Sequence, residues 1–194
     1  MATVLVVCTG NVCRSPIAEG LLRAALQARF EGAAPTVVSA GTMGWEGSGA
    51  DPASVEAAAE RGVDISEHRA REVRPDEVGA ADLVLAMARE HADALADFAR
   101  GRTFTLKELV RLLEALPAPG PGDPDAVLAA RVADADGLRR RGFEGNPYDD
   151  DVADPLGMPL ESFRAIAWEL DEWCGRLTDG LFGRHPATMS AEVD

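Results

Sequence analysis

The sequence predicts an α/β protein built on a central parallel sheet of about four strands. Two features of the chain carry that expectation. Short runs rich in β-branched and aliphatic residues recur along it, each continuous rather than alternating, as strands buried on both faces are. Between them lie stretches with helical periodicity and recognisable caps, the alternation that gives βαβ units.

The first strand is Thr3-Val4-Leu5-Val6-Val7. It stops at the turn-prone Cys8-Thr9-Gly10-Asn11, after which Ser15-Pro16-Ile17-Ala18-Glu19 opens a helix. Ser15 is the expected N-cap, Pro16 stands in the first turn and Glu19 near the capping-box position. Ile17, Leu21, Leu22, Ala25 and Leu26 share that helix's apolar face. A second strand is expected at Thr36–Ser39 and a helix at Asp51–Arg61, capped by Asp51, started by Pro52 and ended by Gly62. Asp82–Met87 is the third strand, followed by a helix over Arg89–Ala99. Thr103–Leu106 is a short fourth strand, with a helix from about Lys107 to Leu116.

Four prolines and two glycines between Pro117 and Pro124 then make an exposed linker. A helix is expected over Asp125–Arg141, ending in the basic triplet Arg139-Arg140-Arg141, which reads as a solvated helix face. The stretch from Gly145 to Pro155 is turn-rich and acidic. A final amphipathic helix runs from about Leu160 to Leu177 with Phe163, Ile166, Ala167, Leu170 and Trp173 inward. The expected organisation is one domain over residues 1–182 and a flexible tail over 183–194.

Composition narrows the function. The 194 residues carry 19 Lys+Arg against 33 Asp+Glu, a net charge of −14, with 46% hydrophobic residues. That mixture describes a folded, soluble chain. It argues against nucleic acid as a partner, because the phosphate backbone attracts the opposite charge balance. No run approaches the ~20 apolar residues of a membrane span, and the start of the chain has no signal-peptide pattern. The three cysteines, Cys8, Cys13 and Cys174, fit neither a disulfide framework nor a zinc knuckle, which points to a reducing, cytoplasmic compartment. His68, His91 and His185 show no metal-ligand spacing, so no metal or cofactor is expected.

The stretch from Cys8 to Ser15 is the chemically informative one. A cysteine and an arginine five residues apart bracket a loop between a strand's C-terminal end and a helix N-terminus. Backbone N–H groups there point inward at an anion, and the helix dipole adds positive potential. Phosphate is the obvious guest. Gly10 permits close backbone approach and Asn11 tolerates a left-handed conformation. A helix N-terminus and a nearby cation favour a thiolate, and Arg14 offers a planar fork for two phosphoryl oxygens.

The run Val7-Cys8-Thr9-Gly10-Asn11-Val12-Cys13-Arg14-Ser15-Pro16-Ile17-Ala18-Glu19 resembles the phosphate-binding loop of the low-molecular-weight protein tyrosine phosphatases. The resemblance extends to Ser39-Ala40-Gly41-Thr42, Trp45, Asp51-Pro52, His68-Arg69-Ala70-Arg71, Leu85-Ala86-Met87 and Asp154-Pro155. It covers roughly residues 3–99 and 150–177, so that the region of about 117–145 reads as an insertion. The resemblance implies a three-layer α/β/α fold of the phosphatase-I, flavodoxin-like kind and a monomeric enzyme acting on phosphotyrosine proteins. It assigns Cys8 as nucleophile, Arg14 as the clamp on the equatorial oxygens, Ser15 as hydrogen-bond partner of the thiolate, and Asp154 as general acid. Thr9, Gly10, Asn11, Val12, Cys13, Arg14 and Ser15 form the phosphate cradle. In that family a cysteine at the place of Cys13 forms a reversible disulfide with the nucleophile under oxidation, so Cys13 is the expected redox partner, with simple packing as the alternative.

Some positions depart from the family pattern. Leu156-Gly157 follow Asp154-Pro155 where the family often has aromatic residues, which leaves Trp45 as the candidate wall for a substrate ring, with core packing as its alternative. Met87 is followed by Ala88 rather than by aspartate. Asp149, Asp150 and Asp151 are expected to be a solvated acidic loop, His68 structural and Cys174 inert. Protein-arginine phosphatases resemble the same loop but favour threonine where this chain has Val12. Thiol-coupled arsenate reductases need a further downstream cysteine pair, and only Cys174 is present. A silent phosphoprotein-binding module is disfavoured by the joint presence of Cys8, Arg14 and Asp154.

Overall fold

Four short strands lie side by side, all parallel, in the order β2-β1-β3-β4: β1 is Thr3–Cys8, β2 Thr36–Gly41, β3 Leu83–Ala86 and β4 Thr103–Thr105. The computed structural model describes residues 1–143 and 149–184. The central strand β1 is buried from Val4 to Cys8, which is why its sequence is apolar without alternation. Its side chains still divide by parity. Val4, Val6 and Cys8 face the larger core with Leu83, Leu85 and Phe104, whereas Leu5 and Val7 face a smaller one with Ala40 and Val84.

Helices cover both faces, giving three layers. The larger core is closed by α1 (Arg14–Phe30), α2 (Pro52–Glu60), α5 (Leu106–Glu114), α6 (Pro124–Arg140) and α7 (Leu160–Phe182). The smaller one is closed by Val78 of α3 (Pro75–Ala80) and Leu95 of α4 (Arg89–Leu95).

Side-chain caps explain three of the helix starts. Asp51 accepts from Ala53 N with Pro52 at the first position of α2, as the sequence predicts. Thr105 accepts from Glu108 N and Glu108 reaches back to Thr105 N, so this capping box ends β4 one residue short of Leu106. Asp123 accepts from Ala126 N and starts α6 at Pro124. Two boundary expectations are corrected. Helix α1 begins at Arg14, which places Ser15 inside it, and Glu19 bonds to Ser39 and Arg23 instead of closing a capping box. Helix α3 was not expected from the sequence; its six residues include a proline and a glycine, and it is held by Val78 in the smaller core.

The region of about 117–145 is partly an integral layer. Leu128, Val132 and Ala135 of α6 belong to the main core, and the buried Arg131 donates to the carbonyls of Leu113, Pro117 and Gly180, tying α6 to the ends of α5 and α7. Within the basic triplet Arg140 and Arg141 are exposed, as a solvated face requires, but Arg139 is not: it lies 4.1 Å over the Phe104 ring and pairs with Asp136. Gly145–Tyr148 of the expected turn-rich stretch and His185–Asp194 of the expected tail lie outside the described residues. No helix among the described residues is long and apolar enough to cross a membrane.

Candidate active site

The site forms where β1 stops and α1 starts. Cys8 is the last residue of β1, Arg14 the first of α1, and the intervening loop curls through Asn11, whose φ is 57°, the only positive φ of a non-glycine residue among those described. Every carbonyl from Cys8 to Cys13 finds a donor. Thr42 N bonds to Cys8 O, Met43 N to Thr9 O, Trp45 N to Gly10 O, Asp51 N to Val12 O and Ile17 N to Cys13 O, while His68 Nε2 donates to Asn11 O at 2.8 Å. With the carbonyls consumed, the N–H groups of Gly10 to Ser15 are left without an acceptor among the described residues. Six unpaired donors around one turn form an anion nest. Two glycines let the neighbouring chain come this close: a Cβ at Gly41 would lie 2.4 Å from Thr9 O, and one at Gly44 2.1 Å from Arg71 O.

A directed hydrogen-bond chain leads to Cys8. Arg71 N donates to Asn11 Oδ1 (3.0 Å), which fixes the amide's orientation. Asn11 Nδ2 then gives its two hydrogens to Ser15 Oγ (2.9 Å) and Ser39 Oγ (2.8 Å), and Ser39 passes its own to Glu19. Ser15 keeps its hydroxyl hydrogen for Cys8 Sγ, 3.0 Å away, an arrangement suited to a thiolate acceptor. Asn11, Ser15 and Ser39 are all buried, so the geometry is shielded from water.

Arg14 is buried at 4% exposure and faces the loop. Its Nη1 donates to Val152 O (3.1 Å), and its Nη2 to Asp154 Oδ2 (2.6 Å) and Thr9 Oγ1 (3.3 Å); Nε is buried with no partner. Asp154 lies 140 residues away in sequence, in irregular chain, with its side chain 45% exposed and its Oδ1 accepting from Leu156 N. Tertiary structure therefore brings Asp154 onto Arg14, at the end of the loop that Cys8 begins. Trp45 is half exposed over the loop, its ring 3.6 Å from where a Gly10 Cβ would be, which overturns the core-packing alternative.

Cys13 is free and buried, and burial pushes its thiol up to about 12. Cys174 is buried in α7 and raised for the same reason. Of the three aspartates expected to be solvated, Asp149 and Asp151 are exposed, whereas Asp150 is 5% exposed and bonded to Arg89 and Arg111.

Sequence reasoning missed His91. Its Nε2 lies 2.9 Å from Thr9 Oγ1 across 82 residues, its Nδ1 is buried without a partner, and burial, then the Arg14 charge, lowers its pKa. Nothing in spacing could have placed it there. The roles of Ser39, Glu19 and His68 in holding Asn11 were also unread, although all three lie in segments that carry the family resemblance.

Comparison with known proteins agrees with this geometry. Residues 3–123 match the family described as low molecular weight phosphotyrosine protein phosphatase. A Ralstonia solanacearum protein named probable low molecular weight protein-tyrosine-phosphatase EpsP is 49% identical over 85 residues, which are 44% of this chain and 54% of that protein; the match thus spans about half the relative's length. A protein-arginine-phosphatase of Geobacillus stearothermophilus is 30% identical over 181 residues, covering 92% of this chain and 95% of the relative. The crystal structure of a low molecular weight protein tyrosine phosphatase from T. tengcongensis superimposes with a TM-score of 0.67 at 36% identity, over 92% of this chain and 99% of that one.

Proposed function

Given that the chain belongs to the low-molecular-weight phosphotyrosine protein phosphatase family, we propose that it hydrolyses phosphotyrosine monoesters on proteins through a phosphocysteine intermediate. The observation that carries this reading is the ring of unpaired N–H groups from Gly10 to Ser15 facing the same loop as the Cys8 thiol and the unpaired Arg14 Nε.

In this reading the Cys8 thiolate attacks phosphorus in line, forming the S–P bond as the P–O bond to the phenolate breaks. The phosphoryl oxygens take the loop amides and the Arg14 fork, replacing the Asp154 carboxylate on Nη2. Asp154, so released beside the incoming phosphoryl group, takes up a proton from water and passes it to the leaving phenolate. As carboxylate it then takes a proton from the water that attacks the phosphocysteine, returning thiolate and inorganic phosphate. The nest is fixed before substrate arrives, so stabilising the transferring charge needs no reorganisation. Trp45, half exposed beside the loop, is the wall for the aryl ring. Val12, buried and apolar, suits an aryl ester better than a guanidinium-derived leaving group.

A second reading, phosphoarginine hydrolysis on the same scaffold, is favoured by the nearly full-length relative named as a protein-arginine-phosphatase. Comparing kcat/KM on phosphotyrosine, phosphoarginine and phosphoserine peptides decides between them: phosphotyrosine is expected to lead, and preference for phosphoarginine overturns the first reading. The chain is further proposed to work as a cytoplasmic monomer, in keeping with its unpaired cysteines.

A further inference from the structure

The general acid sits on irregular chain, yet a proton donor must be placed within hydrogen-bond reach of the leaving oxygen. What holds it is visible upstream. Asp150 is buried and its two oxygens are divided between two helices: Oδ2 takes Arg89 Nη2 of α4 at 2.6 Å, and Oδ1 takes Arg111 Nη1 of α5. The next residue caps α4 from outside. Ala88, the residue before that helix, has no side chain to offer, and Asp151 Oδ1 accepts from Arg89 N at 2.7 Å in its place. Lys107, 4% exposed, donates to Asp151 O at 2.9 Å and pairs with Glu169 of α7 at 2.6 Å. One residue further, Val152 N bonds to Met87 O at the end of β3 while Val152 O receives Arg14 Nη1. Asp154 follows two residues later.

A solubilising acidic stretch would leave Asp150 in water. Instead its charge is taken out of solvent and matched by two guanidinium groups, so that losing a partner would leave a buried charge uncompensated. We propose that Asp150 and Arg89, with Arg111, form a clasp that positions the Asp154 segment, and that Asp151 replaces in trans the helix cap that Ala88 cannot supply. They are positioning residues that act through Asp154. Because Val152 also receives Arg14, the clasp sets the register of the acid against the phosphate clamp.

This inference rests on Asp154 as general acid, and the test separates the two. In Asp150→Asn, kcat/KM is expected to fall roughly 10²-fold on phenyl phosphate, the loss typical of about 1 Å of misplacement. The poorer leaving group needs the acid most, so p-nitrophenyl phosphate should lose no more than about threefold. Adding Asp150→Asn to Asp154→Asn should cost no more than about twofold further, since groups acting through one another are not additive. Equal losses on both substrates, or full additivity, overturn the clasp.

Arg89→Met, at a side chain 49% exposed, keeps the test alive should Asp150→Asn not fold. It should show the same substrate-dependent pattern at smaller size. Amide hydrogen exchange at Val152 reads the docking without activity: it should quicken in Asp150→Asn and Arg89→Met and not in Asp154→Asn. Unchanged Val152 exchange refutes the clasp. Failure of the unmodified protein to turn over p-nitrophenyl phosphate refutes the phosphatase reading instead, and the exchange measurement still decides the clasp.

Discussion

The phosphate loop and the acid-bearing segment meet at Arg14 but are held by opposite means. The loop is short in sequence and supported by neutral hydrogen bonds: eight residues, one left-handed asparagine, carbonyls all paired outward and a buried amide–hydroxyl chain. The acid segment has no regular structure and is held by charges from three helices, Arg89 on α4, Lys107 and Arg111 on α5, and Glu169 on α7 through Lys107. The loop must present fixed dipoles to a dianion, which favours a rigid backbone. On the proposed mechanism Asp154 exchanges a partner during turnover, leaving Arg14 when phosphate arrives, which suits an anchor a few residues upstream rather than on the carboxyl itself.

Several measurements test this contrast. The largest effect is expected from Cys8→Ser, which removes the nucleophile: turnover should fall by on the order of 10⁶-fold, while isothermal titration still detects phosphate on the intact loop amides. Residual fast hydrolysis would mean that the loop is only a binding nest. Asp154→Asn should come next, with a loss of ~10²–10⁴-fold on phenyl phosphate and much less on p-nitrophenyl phosphate. Equal losses on the two esters would point to another acid.

Asn11 distinguishes backbone from side chain within the loop. Asn11→Ala removes its side-chain bonds and leaves a φ of 57° that alanine resists, so stability should drop by about 2–4 kcal/mol in chemical denaturation. Asn11→Gly accepts the φ and should recover about 1 kcal/mol of it, without restoring activity if the directed bond to Ser15 matters. A smaller effect concerns His91, which links the loop to α4. Burial and then Arg14 hold its pKa below the ordinary 6.5. The unfolded chain therefore binds the proton first as pH falls, so the contribution of neutral His91 is complete above about 6.5 and is lost as pH drops through the depressed folded value. His91→Gln should flatten the pH dependence of unfolding in that window; an unchanged slope would assign it to other groups.

The smallest change in basal rate is expected from Cys13→Ser. We expect peroxide to inactivate the enzyme through a Cys8 sulfenic acid, which Cys13 condenses with, releasing water and forming a disulfide that thiols reduce. Cys13→Ser should keep much of its activity but lose most of that recovery, and phosphate should protect both forms. Mass spectrometry that finds a Cys8–Cys174 bridge, or full thiol recovery of the variant, leaves Cys13 a packing residue.

The contrast between the two regions also sets what could be read from residues alone. The loop was legible because its determinants are contiguous: a buried strand ending at Cys8, an asparagine tolerant of φ near 57°, and a helix starting at Arg14. Asp154 was legible only through the proline beside it and the family resemblance. Asp150 alone among its neighbours departs from the solvated expectation, because a run of three aspartates carries no sign of which one meets two arginines 61 and 39 residues away. Arg139 departs likewise from its exposed neighbours, since its packing over Phe104 depends on how α6 docks.

What the sequence by itself determined is whatever depends on neighbours a few residues apart: the alternation of strands and helices, the cap at Asp51, and the loop from Cys8 to Arg14. The tertiary structure decided what depends on distant groups sharing one place. It chose His91 to meet Thr9, Asp150 to be buried and Asp151 to cap a helix that starts after an alanine. The physical reason is the range of the forces. Capping bonds and dihedral preferences act over one or two turns of chain and leave a local pattern, whereas long-range hydrogen bonds and the desolvation and pairing of a charge depend on the whole fold that encloses them.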